Sequence, residues 1–186
     1  MKNEGNYQIA LSSEAAVPQR SIVGEVTAPE KTFRCELIVD DRLVAKYEMN
    51  EVFVTLLPTK PLELPQYKII FNDDFLKKLQ RRDATAFFKL YREIGHIHNL
   101  DLIKDKREKE EKIKNGEPTE ADLAADRFAM SYMGFSYALD GLKTIRKERK
   151  ALYDSLACAD TKDRRKLALD EIDKRIEILC NDSYGN

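Results

Sequence analysis

The hydrophobic pattern changes from strand-like to helical near Asn72, and this change constrains the fold more than any other feature. Before it, residues 52–57 and 67–71 form β-branched and aromatic runs bounded by prolines, which favours strands. After it, apolar residues recur at intervals of three and four, which favours helices. The chain is therefore predicted to be α+β, with a small, mainly antiparallel sheet in the N-terminal half packed on helices from the C-terminal half.

Upstream of these runs, the sequence predicts a hairpin and a flexible arm. Residues 1–30 mix Ser, Glu, Pro and Gly with isolated apolar residues, so we expect an N-terminal arm with one strand at 21–26. A β-hairpin is predicted next, because apolar residues alternate on both sides of an Asp40-Asp41 turn. These residues are Phe33, Cys35 and Leu37 before the turn, and Leu43, Ala45 and Tyr47 after it.

Capping residues mark the starts of the predicted helices. Asn72 is a good N-cap for a short helix at 73–79. A second helix is expected to begin near Asp83 and to bury one broad apolar face against the sheet. Thr119, with an acid three residues later, opens a helix that is expected to extend to about residue 138. The apolar face of the second helix carries Phe87, Phe88, Tyr91, Ile94 and Ile97.

Two charged amphipathic segments close the sequence, at residues 141–157 and 162–179. Apolar residues of the first could face those of the second, which predicts an antiparallel helical hairpin. The facing residues are Leu142, Ile145, Leu152 and Leu156, and Leu167, Ile172, Ile176 and Leu179. The charge run at 104–114 has no apolar stripe and is expected to be a solvated loop or an exposed helical extension.

Composition excludes several classes of partner. Lys and Arg total 32 against 33 Asp and Glu, so no net field favours nucleic acid or acidic lipid. The longest apolar runs are too short to span a bilayer, and the start of the chain has no apolar signal stretch, so we expect a cytoplasmic protein. Three widely spaced cysteines without a CxxC pair are expected to be reduced and structural, although Cys158 and Cys180 could approach each other across the hairpin.

Two short motifs carry the functional information. REIGH stands at residues 92–96 on the predicted Asp83 helix, and DLAADRFA stands at 122–129 on the Thr119 helix. Their order after a strand and a short FLKKL phrase resembles compact zinc metallopeptidases of the HExxH class, in particular the phage and mobile-element ImmA-like family. The resemblance covers about seventy residues, from Tyr67 to Gly134.

This resemblance implies a zinc site between the two motif helices. In the family, two His four residues apart on one helix face bind Zn²⁺, and the Glu beside the first acts on the metal-bound water. The corresponding residues are Arg92 and His96 for the two His, Glu93 for the general base and Asp122 for a third ligand from the later helix. Asp126 would orient a ligand from outside the coordination sphere.

Arg92 differs from the family's histidine because its side chain cannot bind a metal. Its guanidinium stays protonated and has no lone pair to donate to a metal. Asp122 replaces the family's Glu but keeps a carboxylate. His98 faces away from His96 on a helix, and Tyr91 is expected to point into the core, so neither replaces the missing ligand. We expect Arg92 instead to pair with Asp122, Asp126 or Glu93 where zinc would link the helices.

Three functions remain open at this point. The leading expectation is a catalytically impaired, metallopeptidase-like binding or regulatory module of phage type, with a peptide or protein partner and no cofactor. The first alternative is an active zinc endopeptidase that uses Glu93 as its base. The second is an interaction protein, acting through the hairpin, which could also form a homo-oligomer. The expected domains are an arm at 1–30, a zincin-like domain at 31–140 and the hairpin at 141–186.

Overall fold

The computed structural model describes residues 7–11, 21–28, 33–46, 51–57, 63–99, 115–155 and 160–184, the last range without the side chains of 160–165 and 184. The charge run at 104–114 and Cys158 lie outside these residues. The chain divides into two compact units, Met1–Arg82 and Asp83–Asn186. This boundary falls inside the segment 31–140 that was predicted as one domain.

The first unit contains a five-stranded sheet in the order β1-β2-β3-β5-β4. Neighbouring strands are antiparallel except β3 and β5, which are parallel. The central strands are the most buried, and Leu37 of β3 lies in register with Ile69 of β5, both fully buried. The strands are β1 (Gln8–Leu11), β2 (Ser21–Thr27), β3 (Arg34–Val39), β4 (Val52–Leu56) and β5 (Gln66–Phe71). The predicted α+β class and the mainly antiparallel sheet are confirmed.

The N-terminal region contributes more strand than the sequence indicated. The expected strand at 21–26 is present as β2, and the short β1 pairs with it inside the segment predicted as a flexible arm. β2 also carries an irregularity between Ile22 and Gly24. A Cβ on Gly24 would lie only 2.0 Å from the Ala10 carbonyl oxygen, so glycine permits the close β1–β2 approach.

The predicted hairpin around Asp40-Asp41 is wrong, because a short helix α1 (Asp41–Ala45) replaces its second strand. The Asp40 carboxylate caps this helix by accepting a 2.9 Å hydrogen bond from the Leu43 N–H. Val44 is buried in a cluster with Ile38 and Ile70, so the turn of helix still contributes to the core. Local capping by Asp40 therefore overrides the alternating pattern.

The helix starts at Asn72, Asp83 and Thr119 are confirmed by capping hydrogen bonds. These side chains accept from the N–H groups of Phe75, Ala86 and Asp122 at 2.8, 2.9 and 3.0 Å. The helices that follow are α2 (Asp73–Gln80), α3 (Ala84–His98) and α4 (Glu120–Met133). α4 ends before the predicted residue 138, at Gly134, whose φ of 83° is accessible to glycine without strain.

The C-terminal helices are α5 (Phe135–Ser155) and α6 (Asp160–Tyr184). The predicted pair of C-terminal helices is confirmed, but the prediction that it is an appendage is wrong. Their apolar residues share one core cluster with α3 and α4, comprising Phe88, Ala129, Ala138, Leu142, Ile145, Ile172 and Leu179. Leu152, which was expected to face α6, is instead exposed. Among its described residues, the second unit therefore packs α3, α4, α5 and α6 around one core, which includes both motif helices.

Two glycines bring these helices into close contact. A Cβ on Gly95 of α3 would lie 3.0 Å from the Ala125 Cα of α4, and a Cβ on Gly141 of α5 would lie 2.9 Å from the Phe88 Cβ of α3. Gly95 belongs to the REIGH motif, so the motif also sets the spacing between the two motif helices.

Among the described residues, every helix is too short or too polar to span a lipid bilayer.

Candidate functional site

The two motifs meet where α3 crosses α4. Arg92 and His96 are one turn apart on the same face of α3, and Asp122 and Asp126 are one turn apart on α4. The Arg92 guanidinium contacts the Asp122 carboxylate through Nη2 and donates to Asp126 Oδ1 through Nε at 3.2 Å. The residues that the two motifs select thus lie together in the structure, and Arg92 joins α3 to both aspartates of α4.

Asp122 is held on three sides. Its Oδ1 faces Arg92, its Oδ2 accepts a 2.5 Å hydrogen bond from the Thr119 hydroxyl, and His96 Nε2 lies 3.9 Å from Oδ1. Burial raises the pKa of Asp122, but the Arg92 charge and the Thr119 hydrogen bond outweigh it and hold this pKa well below its usual range. The carboxylate is therefore ionised and paired across the neutral pH range.

Asp126 is the centre of a buried ion cluster. It is 0% exposed, and it accepts two 2.7 Å hydrogen bonds from Arg175 of α6, one on each oxygen. With the bond from Arg92 Nε, three N–H groups of two arginines converge on one carboxylate. This bidentate geometry gives charge-assisted bonds, which are stronger than neutral ones.

The two motifs do not point to Arg175 or Glu171, which the structure adds to the ion cluster. Arg175 is buried, and its remaining Nη1 donates to Glu171 at 3.3 Å. A signal for Arg175 was present, because it stands three residues after Ile172 and four before Leu179. A charged residue within an apolar stripe requires a buried partner, and Asp126, which is likewise on the buried face of its helix, supplies it.

Glu93, the predicted general base, also belongs to this ion cluster. Its Oε1 lies 3.5 Å from Arg92 Nη1, and its side chain is largely buried. Tyr91 stacks on Tyr132 with ring centroids 5.4 Å apart, and the exposed His98 lies against Phe128 at 5.1 Å. Tyr91 and His98 thus both contact aromatic residues of α4.

These residues do not fit a zinc ion. Both oxygens of Asp122 are engaged, by Arg92 and by Thr119, and a guanidinium stands at the position of the first histidine. A cation in that place repels a second cation instead of donating electrons to it. Across the described part of the chain, no group of three His, Cys, Asp or Glu side chains is arranged to hold a metal.

Comparison with known proteins adds no relative to these observations. No protein-family model, no curated protein and no solved structure matches this chain.

Proposed function

We propose that this chain is a metallopeptidase-like protein that has exchanged its zinc site for an ion cluster and binds a peptide or protein partner without hydrolysing it. The observation that carries the proposal is the contact between the Arg92 guanidinium and the Asp122 carboxylate. In the family that the sequence resembles, both positions would hold the metal.

The chemistry of catalytic zinc supports this proposal. Such a site uses three protein ligands and leaves a fourth position for water. Here His96 and Asp122 remain as candidate ligands, and Asp122 would have to give up Arg92 before it could bind an ion. In a zinc peptidase the metal lowers the pKa of a bound water, and the glutamate removes a proton from that water. In the proposed metal-free site, Glu93 has no such water to deprotonate. Its contact with Arg92 instead fits a structural role.

Buried contacts between the helices support a binding role. The ion cluster links α3, α4 and α6, and Gly95 keeps α3 and α4 close together. Helices joined by such buried contacts are suited to binding, because preorganised surfaces lose little entropy on association. A module of this kind, of phage or mobile-element type, would act by occupying or sequestering its partner.

The test is metal analysis combined with a restored ligand. The purified protein should hold well under one zinc per chain and show no chelator-sensitive hydrolysis of casein. Arg92→His should gain zinc, because it supplies a third ligand on the α3 face that already carries His96. Arg92→Gln is the matched control, since it removes the same charge without offering an imidazole.

Stoichiometric zinc with chelator-sensitive cleavage in the parent protein would favour the alternative, an active endopeptidase with Glu93 as its base. Equal zinc in Arg92→His and Arg92→Gln would show that the ligand positions do not converge, and would remove the zincin ancestry. Self-association through residues 141–186 stays a prediction. No described contact favours it, because Leu142, Ile145, Ile172 and Leu179 pack within the unit itself.

A further inference from the structure

α6 buries fewer apolar side chains for its length than α3. Among the side chains of this 25-residue helix that the structure describes, the buried apolar ones are Ile172 and Leu179, and Ile176 is partly buried against the same core cluster. Its first two turns, residues 160–166, contain no apolar residue in the sequence. Because burial of apolar surface drives helix packing, this contribution is small for α6. The 15-residue α3, by contrast, buries Ala86, Phe88, Leu90, Ile94 and Ile97.

Three exposed ion pairs also attach α6 to the rest of the second unit. Their side chains are between 37% and 56% exposed, so water and dissolved ions reach every one of them. Such pairs contribute little individually, and salt weakens them further by screening. The attachment of α6 therefore depends on ionic strength. The pairs are Arg127 with Asp182 at 2.6 Å, Glu117 with Lys174 at 3.1 Å and Arg146 with Asp173 at 2.8 Å.

The buried pair between Arg175 and Asp126 adds less to this attachment than its two 2.7 Å hydrogen bonds suggest. Both charges lost their water when α6 packed, and that loss offsets much of their attraction. When α6 moves away as a whole, both groups regain water together, so neither is left buried without a partner. Opening of α6 thus avoids the cost that removal of a single partner would carry.

We propose that α6 opens reversibly before the rest of the second unit unfolds, and that ionic strength controls how often it opens. Segments with few buried apolar contacts and solvated attachments open at a lower free energy than the core. Opening uncovers the Asp126 carboxylate and the core cluster to which Ile172 and Leu179 belong. The proposal does not depend on the proposed binding function, because it follows from how α6 is attached and makes no use of the zinc site.

Hydrogen exchange of the full-length protein, followed by mass spectrometry, tests this proposal at about 0.01 M and about 1 M NaCl, between which the screening length falls from about 30 Å to about 3 Å. Amides of residues 166–184 should exchange faster than those of α3 at both concentrations. Salt should speed the exchange of α6 about tenfold, because three exposed pairs each contribute a factor of about 1.4 to 5. Amides of β3 and β5 are the reference and should exchange at the same rate in both solutions.

A triple variant separates the ion pairs of α6 from the other effects of salt. Arg127→Gln, Arg146→Gln and Lys174→Gln together remove the three exposed pairs, so this variant should show the faster α6 exchange already at low salt. The matched control combines Lys77→Gln, Lys147→Gln and Lys150→Gln, which remove the same charge from exposed positions. Lys77 and Lys150 pair within their own helices, so the control should leave α6 unchanged.

Several results would overturn the proposal. Exchange of α6 at the same rate as α3 would show that the second unit opens only as a whole. Exchange of α6 that does not change with salt, or equal effects of the two triple variants, would remove the control by ionic strength. Loss of the fold in the variant without the three pairs would also contradict the proposal, because exposed pairs contribute too little to keep the unit folded.

Discussion

Replacing Asp126 with leucine tests the buried ion cluster most directly. Asp126 is 0% exposed and accepts from Arg175 twice at 2.7 Å and from Arg92 at 3.2 Å. The substitution leaves the Arg175 side chain, which is 5% exposed, with its weaker contact to Glu171 at 3.3 Å. A buried guanidinium would then lack its principal counter-charge.

The expected cost follows from the general behaviour of buried pairs. Removing one partner of such a pair destabilises a protein by roughly 3 to 5 kcal/mol, because the remaining charge is desolvated without compensation. Glu171 still faces Arg175, so we expect the lower end, about 3 kcal/mol. That loss is large against the roughly 5 to 15 kcal/mol by which native proteins are stable.

Urea unfolding of the full chain, followed by circular dichroism at the helix band, measures this loss. The matched control is Asp182→Ala, which breaks the exposed pair between Arg127 and Asp182 at 2.6 Å. An exposed pair contributes about 0.2 to 1 kcal/mol, so this control should change little. The double variant Asp126→Leu with Arg175→Met should recover most of the loss, since it removes both charges together.

A loss below about 1 kcal/mol for Asp126→Leu would refute this argument, because it would place the pair in the range of solvated ones. A double variant as unstable as the single one would refute it in another way. It would indicate that the cluster contributes through its packing and hydrogen bonds and that uncompensated charge is not the cause.

Three further predictions concern other positions. Gly95→Ala should lower the free energy of unfolding in urea by roughly 1 to 3 kcal/mol, because the new Cβ would lie 3.0 Å from the Ala125 backbone. Unchanged stability would mean that α3 and α4 can separate freely. Burial raises the pKa of Cys35 to about 12, so above about pH 9 the unfolded thiol loses its proton while the folded one keeps it. The free energy of unfolding should therefore fall more steeply between about pH 9 and pH 11 in the parent than in Cys35→Ala, and parallel slopes would contradict the shift. Arg82 has a φ of 60°, which glycine adopts without strain. Arg82→Gly should therefore raise the free energy of unfolding in urea by roughly 0.5 kcal/mol, whereas a loss would show that the Arg82 side chain makes a stabilising contact.

Helix starts and strands with strong local signals were predictable. Asn72, Asp83 and Thr119 cap their helices as expected, because an N-cap acts within three residues and needs no tertiary context. The runs at β4 and β5 were also clear, since prolines bound them. The prediction for the residues after Asp40 was wrong because of another local capping interaction. The Asp40 carboxylate caps α1, and the alternating apolar pattern could not reveal this cap.

The two motifs of the candidate site were predictable from the sequence, but the arginine of α6 that completes its ion cluster was not. REIGH and DLAADRFA identified Arg92, Glu93, His96, Asp122 and Asp126, and the expected pairing of Arg92 with Asp122 is present. Arg175 was not identified, because the sequence alone could not show that α6 packs on α4. The same lack of tertiary information made the C-terminal helices look like an appendage. Their charged faces suggested that these helices are exposed to solvent, whereas Ile172 and Leu179 are buried in the shared core.

The distance in sequence between Asp126 and Arg175 has a consequence for the order in which the protein is made. The two residues are separated by 49 positions, so Asp126 leaves the ribosome 49 residues ahead of its principal counter-charge. At about 5 to 20 residues per second, that interval lasts on the order of several seconds. During this time, α3 and α4 would have to bury a carboxylate supported by Arg92 alone. The motif helices should therefore not reach their final packing until α6 has been synthesised, and a nascent chain halted before Arg175 should remain sensitive to protease within α3, α4 and α5.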